Sequence, residues 1–128
     1  MTIVRSIFTT LVLAAGVAAA GAAQAHPKLL SSTPAAQAQS GAPGRIELHF
    51  SEPLVPRFSG ARLLMTGMPG MGAHAPMAIK SGVSAGDDPK TMIIVPAQPL
   101  VPGTYRVEWR AVSSDTHTVT GNFSFEVK

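Results

Sequence analysis

The chain of 128 residues contains no cysteine. That absence removes thiolate chemistry: no cysteine nucleophile, no iron–sulfur cluster, no cysteine-type zinc site and no blue-copper centre can be built from it. No disulfide staples the fold either, so the apolar core must hold it alone, as a core of about a hundred residues can. Aromatics are scarce, at 5% with one Trp and one Tyr, and charged residues make up only 13%. An aromatic platform for stacking a substrate is therefore lacking. Internal repeats and charge blocks are lacking too, so a single domain is expected. The basic residues that raise the pI to about 9.8 are scattered along the sequence rather than clustered, which argues against a nucleic-acid partner.

A membrane-spanning run is also missing, because the longest apolar stretch, Ile7 to Ala20, falls short of the roughly 20 residues a bilayer requires. Arg5 precedes that stretch and Ala23-Gln24-Ala25 follows it, which is the pattern of a cleaved export signal. Residues 1–25 are thus expected to be a signal peptide, and 26–128 the mature domain, starting at His26 and delivered to the periplasm with no membrane insertion. Loss of Arg5 leaves nine basic residues against seven acidic ones, a net charge of +2.

Short stretches of strict alternation are present. Ile46, Leu48 and Phe50 alternate with Glu47 and His49; Tyr105, Val107 and Trp109 with Arg106, Glu108 and Arg110; Phe123, Phe125 and Val127 with Ser124 and Glu126. Each reads as a strand with one buried face. Further candidates at Lys28–Ser31, Ala61–Met65, Met77–Ser81 and Thr91–Val95 are separated by turn material such as Gly86-Asp87-Asp88-Pro89. The fold class expected is all-β with about seven strands, a Greek-key β-sandwich or barrel of immunoglobulin-like or cupredoxin-like kind.

Between Met65 and Met77 a sulfur or imidazole donor falls at every third position: Met65, Met68, Met71, His74 and Met77. Gly67, Pro69, Gly70, Gly72 and Pro76 exclude a helix, so this spacing is not a buried helical face. It suggests instead an irregular, polyproline-like segment with the donors along one edge. Neutral thioethers survive in an oxidising compartment and suit Cu(I), while His74 adds a borderline nitrogen. Met92 falls in a strand and is expected in the core.

Cleavage before His26 would expose an α-amine beside the imidazole Nδ1, and the two can chelate one metal. Pro27 has no N–H to lose, so the backbone cannot extend the chelate and further donors must come from elsewhere. Asp115 and His117, two residues apart in extended chain, can reach a common site. Amine, imidazoles and carboxylate together suit Cu(II). His49 is expected to face away from the core without ligating.

The segments His26-Pro27-Lys28, Ser31-Ser32-Thr33-Pro34-Ala35, Leu48-His49-Phe50-Ser51-Glu52, Asp88-Pro89-Lys90-Thr91-Met92 and Trp109 to His117, together with the methionine stretch, resemble the CopC family of periplasmic copper-resistance proteins. The resemblance covers essentially the whole mature chain. It implies a small Greek-key sandwich or barrel and a Cu(II) site at the amino-terminal end, on His26, His117 and, more loosely, Asp115. It implies a separate Cu(I) site on Met65, Met68, Met71, Met77 and His74, with Glu52 aligned to an acidic position held in reserve. The function expected is a monomeric, non-enzymatic copper carrier or buffer that serves copper resistance and exchanges copper ions with other periplasmic or membrane copper-handling proteins. A copper-brace oxidative enzyme is the alternative, and a sandwich used only for protein contacts a third.

Overall fold

The structure is a computed structural model that describes residues 26–128; the expected signal peptide lies outside the described residues. Among these, nine strands form and no helix. They are β1 (Leu29–Thr33), β2 (Gln39–Ser40), β3 (Ile46–Phe50), β4 (Gly60–Met68), β5 (Gly72–Ile79), β6 (Ser81–Ala85), β7 (Thr91–Pro96), β8 (Gly103–Val112) and β9 (Thr118–Val127). One sheet has the order β1-β3-β7-β6 and the other β2-β9-β8-β4-β5. The all-β sandwich expected from the alternation is the observed fold.

Nine strands stand where about seven were expected, for two reasons. The two-residue β2, which pairs in parallel with β9, is too short to leave a periodic trace. The single strand read over Met77–Ser81 is divided at Lys80, where β5 ends in one sheet and β6 begins in the other. This passage along the edge ties the two sheets together by covalent chain.

The core lies between the sheets and includes every apolar residue the alternation marked, joined by Leu63, Met65, Leu100 and Ala111. Ile46, Leu48 and Phe50 of β3 and Met92 and Ile94 of β7 face Tyr105, Val107 and Trp109 of β8 and Phe123, Phe125 and Val127 of β9. Phe50 meets Trp109 edge-on across the sandwich, with ring centroids 5.1 Å apart and planes at 74°. Burial of each large side chain contributes roughly 1.5–3 kcal/mol. The buried Tyr105 hydroxyl donates to the carbonyl of Val101 at 2.6 Å, and burial raises its pKa. Gly121 is required by packing: a Cβ there would lie 2.3 Å from a Trp109 ring carbon. Strand β8 is the spine, paired with β4 on one side and along its full length with β9 on the other. One of its ends leads to the histidine turn and the other lies beside the methionine hairpin.

Candidate metal centres

The first group forms where β8 turns into β9. Val112 pairs with Thr118, the Ser113 amide donates to the His117 carbonyl at 3.0 Å, and the Thr116 amide donates to the Ser113 carbonyl at 2.9 Å. Closing so tight a turn places Thr116 at φ 69°, which is strained for a β-branched residue. The turn is also pinned from below, by a bridge between Leu54 and Ser113 and by a bond from the Val55 amide to the Val112 carbonyl.

The segment before β1 is fixed against this turn. Ser51 donates its amide to the Lys28 carbonyl at 2.8 Å, and its hydroxyl accepts from the Lys28 amide at 2.9 Å. Pro27 is fully buried. His26 is thereby held with its ring centroid 4.5 Å from that of His117. On the far side of His117, Nδ1 lies 2.8 Å from Oδ2 of Asp115. A carboxylate at Nδ1 fixes the tautomer and leaves Nε2 as the nitrogen with an available lone pair. Bonds from the Ser113 hydroxyl and then from His117 hold the Asp115 carboxyl below its usual pKa, so it is charged at neutral pH.

Sequence reasoning expected His26, Asp115 and His117 to meet, and the fold brings them together. It missed Ser113, a buried serine whose hydroxyl anchors Asp115. Nothing in a Ser-Ser-Asp sequence distinguishes that serine from its neighbour. The cluster is not a closed cage: among the described residues no three His, Cys, Asp or Glu groups converge on one metal position. His49 lies on the outer side of β3, with Nδ1 3.1 Å from the Thr91 hydroxyl and Nε2 3.6 Å from Glu47, outside this group.

The second group departs from the polyproline-like segment expected. Residues 60–79 form an antiparallel hairpin of β4 and β5. Pro69 and Gly70 act as turn residues rather than as breakers of structure. The Met71 amide donates to the Met68 carbonyl at 3.1 Å, and Gly70 has φ +73°, so Met68-Pro69-Gly70-Met71 is a type II turn. Pro76 is accommodated by a bulge. Between the pairs Met65–Met77 and Gly67–Ala73, β5 places three residues, His74 to Pro76, against the single Thr66.

The hairpin presents its donors unequally. Met68, Met71 and Met77 are 43%, 75% and 55% exposed. Met65 is 4% exposed and belongs to the core, its methyl lying so close to Gly103 that a Cβ there would come within 2.5 Å. Met65 therefore packs in the core of this structure, directly across the ladder from the exposed Met77. His74 lies in the bulge with Nδ1 2.8 Å from the Ala75 carbonyl, and among the described residues its buried Nε2 has no hydrogen-bond partner. With Nδ1–H donating to that carbonyl, Nε2 carries a lone pair that no described residue meets.

A cysteine-free sandwich with paired imidazoles at one end and exposed thioethers on an edge hairpin defines a class of small β-proteins that carry candidate metal donors on a rigid frame. Comparison with known proteins identifies the family within that class. The CopC domain matches residues 29–128, and the chain belongs to the CopC family. It is 62% identical to copper resistance protein C of Pseudomonas syringae pv. tomato over 124 residues, 97% of each chain. It is 53% identical to copper resistance protein C of Escherichia coli over 128 residues, the whole of both. The crystal structure of PcoC, a methionine rich copper resistance protein from Escherichia coli, superposes with a TM-score of 0.76 at 56% identity, covering 81% of this chain and all of that one.

Proposed function

We propose that this protein is a periplasmic copper carrier, exported by residues 1–25 and matured at His26, with separate places for Cu(II) and Cu(I). The observation that carries the reading is the approach of His26 to His117, with Asp115 holding the outer nitrogen of His117. Nothing in the packing of the core requires two imidazoles side by side at a sheet end. Signal cleavage supplies the missing donor, because the freed α-amine and Nδ1 of His26 close a chelate and Nε2 of His117 adds a third nitrogen. Asp115 then acts as the orienting carboxylate behind His117. Such a nitrogen set suits tetragonal Cu(II).

Cu(I) is taken by the thioethers of Met68, Met71 and Met77 with Nε2 of His74, carried on the β4–β5 hairpin. Met65 sits directly across the ladder from Met77 and joins the set only by leaving the core. The names of the relatives support copper resistance as the setting, and a non-enzymatic role as carrier or buffer. Copper ions are the cargo, and other copper-handling proteins of the periplasm or membrane exchange it.

The test is copper stoichiometry of the mature chain under oxidising and reducing conditions, with X-ray absorption on each form. Nitrogen-dominated scattering for Cu(II), and sulfur with one nitrogen for Cu(I), is the result expected. Binding of one copper in both states, through the same donors, would overturn the two-site reading.

A further inference from the structure

The arginines are dispersed along the sequence and gathered in space. Five follow His26, and four of them, Arg57, Arg62, Arg106 and Arg110, lie on the outer face of the five-stranded sheet or on the loop beside it. Alternation explains the placement: Tyr105, Val107, Trp109 and Ala111 of β8 face the core, so Arg106, Glu108 and Arg110 face outward. The ladder adds Arg62 beside Glu108 and Thr120 beside Arg110. Arg57, Arg62 and Arg110 line a shallow cleft of about 690 Å³ with Phe58, Glu108 and Asn122.

This face holds the positive charge of the domain. Its four arginines, with Glu108 and the outward-facing Glu126 of β9, amount to +2, while the rest of residues 26–128 carries five basic and five acidic side chains and balances to zero. Glu108 serves two guanidiniums, with Arg62 at 2.5 Å and Arg106 at 3.2 Å. Among the described residues no carboxylate pairs with Arg57 or Arg110. Arg57 stacks over the Phe58 ring at 4.6 Å, and Arg110 Nε donates to the Phe58 carbonyl at 3.3 Å. Both are exposed and keep guanidinium donors for a further acceptor. All four lysines of the domain lie elsewhere. A forked guanidinium pairs with a carboxylate through two parallel hydrogen bonds, which an ammonium cannot do.

We infer that this face docks an acidic segment of a protein partner, whose carboxylates pair with Arg57 and Arg110 and compete with Glu108 for Arg62. A lipid surface fits less well. Phe58 is the one exposed large apolar side chain lining the cleft; Leu30, Val83, Val95 and Val101 belong to other surfaces, so no apolar band accompanies the charge. The placement has a consequence for where the partner sits. The Arg110–Thr120 rung is two residues, about 7 Å, from the Val112–Thr118 rung that opens the histidine turn. A docked partner therefore lies beside that end of the molecule. The inference rests on charge and geometry alone and does not depend on copper being bound.

The test is a titration of the metal-free protein with a short poly-glutamate peptide at low salt, followed by backbone amide NMR, with inorganic phosphate and phosphatidylglycerol vesicles as competing probes. Shifts confined to residues 57–62, 106–110 and 120–124, weakening as salt rises, are expected. Replacing Arg57 and Arg110 together by Gln lowers affinity about tenfold. Removing the same charge as Lys80→Gln with Lys90→Gln leaves it within about twofold. Equal losses in the two double variants, shifts scattered over the surface, or no binding of the peptide would overturn the inference. So would tighter binding of phosphate or vesicles at the same residues.

Discussion

His26 and His117 come from opposite ends of the described chain and meet only because β1 is tied to β3 and the β8–β9 turn is pinned to the segment after β3. Met68, Met71, His74 and Met77 are near neighbours in sequence, carried by one hairpin at the edge of a sheet. The histidine end is thus a product of tertiary structure and the hairpin a product of local sequence. Their chemistry follows the same division: nitrogens with a fixed tautomer in one place, flexible thioethers at an edge in the other. A borderline ion that demands geometry suits the pinned site, and a soft ion that tolerates varied geometry suits the mobile side chains.

Met65 is where that division is most easily broken, because it is periodic with the hairpin donors yet packed in the core. Met65→Ala is expected to cost roughly 2–5 kcal/mol of stability, read by denaturant unfolding of the metal-free protein. Met65→Leu keeps the volume and costs less than about 1.5 kcal/mol. Cu(I) affinity of the Leu variant should stay at the original value. Its loss in a folded Met65→Leu protein would mean that the core sulfur is drawn out to the metal.

The next effect separates the two regions by their dependence on the chain start. A form that keeps Ala25 before His26 has an amide in place of the amine, and its Cu(II) affinity is expected to fall about a hundredfold, ~2.7 kcal/mol. Its Cu(I) affinity should not change, since no hairpin donor is touched. Competition titration of both ions against both forms measures this. Equal Cu(II) affinity in the two forms would remove the amine chelate and with it the claim that the histidine end is completed by processing.

Replacing Met68 and Met71 together by Leu should lower Cu(I) affinity by about tenfold or more while Cu(II) binding persists. Because both side chains are largely exposed, stability is expected to move by no more than about 0.5 kcal/mol. An unchanged Cu(I) affinity would show that these methionines are surface residues only.

Legibility in the sequence divides along similar lines. Strands β3, β8 and β9 were readable because each has one buried and one exposed face, and burial imposes a period of two. Strand β6, Ser-Gly-Val-Ser-Ala, was not, because it pairs by its backbone and places almost nothing in the core. The hairpin is harder to read, because Pro69 and Gly70 break a helix and so suggest irregular chain, yet their order, proline then glycine, is also the signature of a type II turn. The meeting of His26 with His117 has no periodic trace at all. The donor chemistry of His26, Asp115 and His117 and the family resemblance point to it; the Ser113 hydroxyl that steadies it leaves no sequence trace, because which of two adjacent serines turns inward to reach Asp115 is decided only when the β8–β9 turn closes.

The smallest effect concerns the link between the two regions. Arg62 of β4 and Glu108 of β8 join the strand that carries Met65 and Met68 to the strand that leads into the histidine turn. The hydrogen bond from Arg62, with the charges of Arg62 and Arg106, lowers the Glu108 pKa below its ordinary value. A carboxyl whose pKa is lower folded than unfolded contributes stability above the unfolded pKa, about 4.3, and loses it as pH falls through the lower folded value. Metal-free protein is therefore expected to lose stability on acidification below about pH 4 slightly more steeply than Glu108→Gln. The variant is the less stable of the two at neutral pH, and the gap closes in acid and in high salt. Because the carboxylate is solvated the difference is small, and urea midpoints across pH are the sensitive measure. At neutral pH the same variant should leave both copper affinities unchanged, as two independently built sites require. If Cu(I) and Cu(II) affinities moved together in Glu108→Gln, the β4–β8 seam would couple the hairpin to the histidine turn, and the two regions would have to be treated as one.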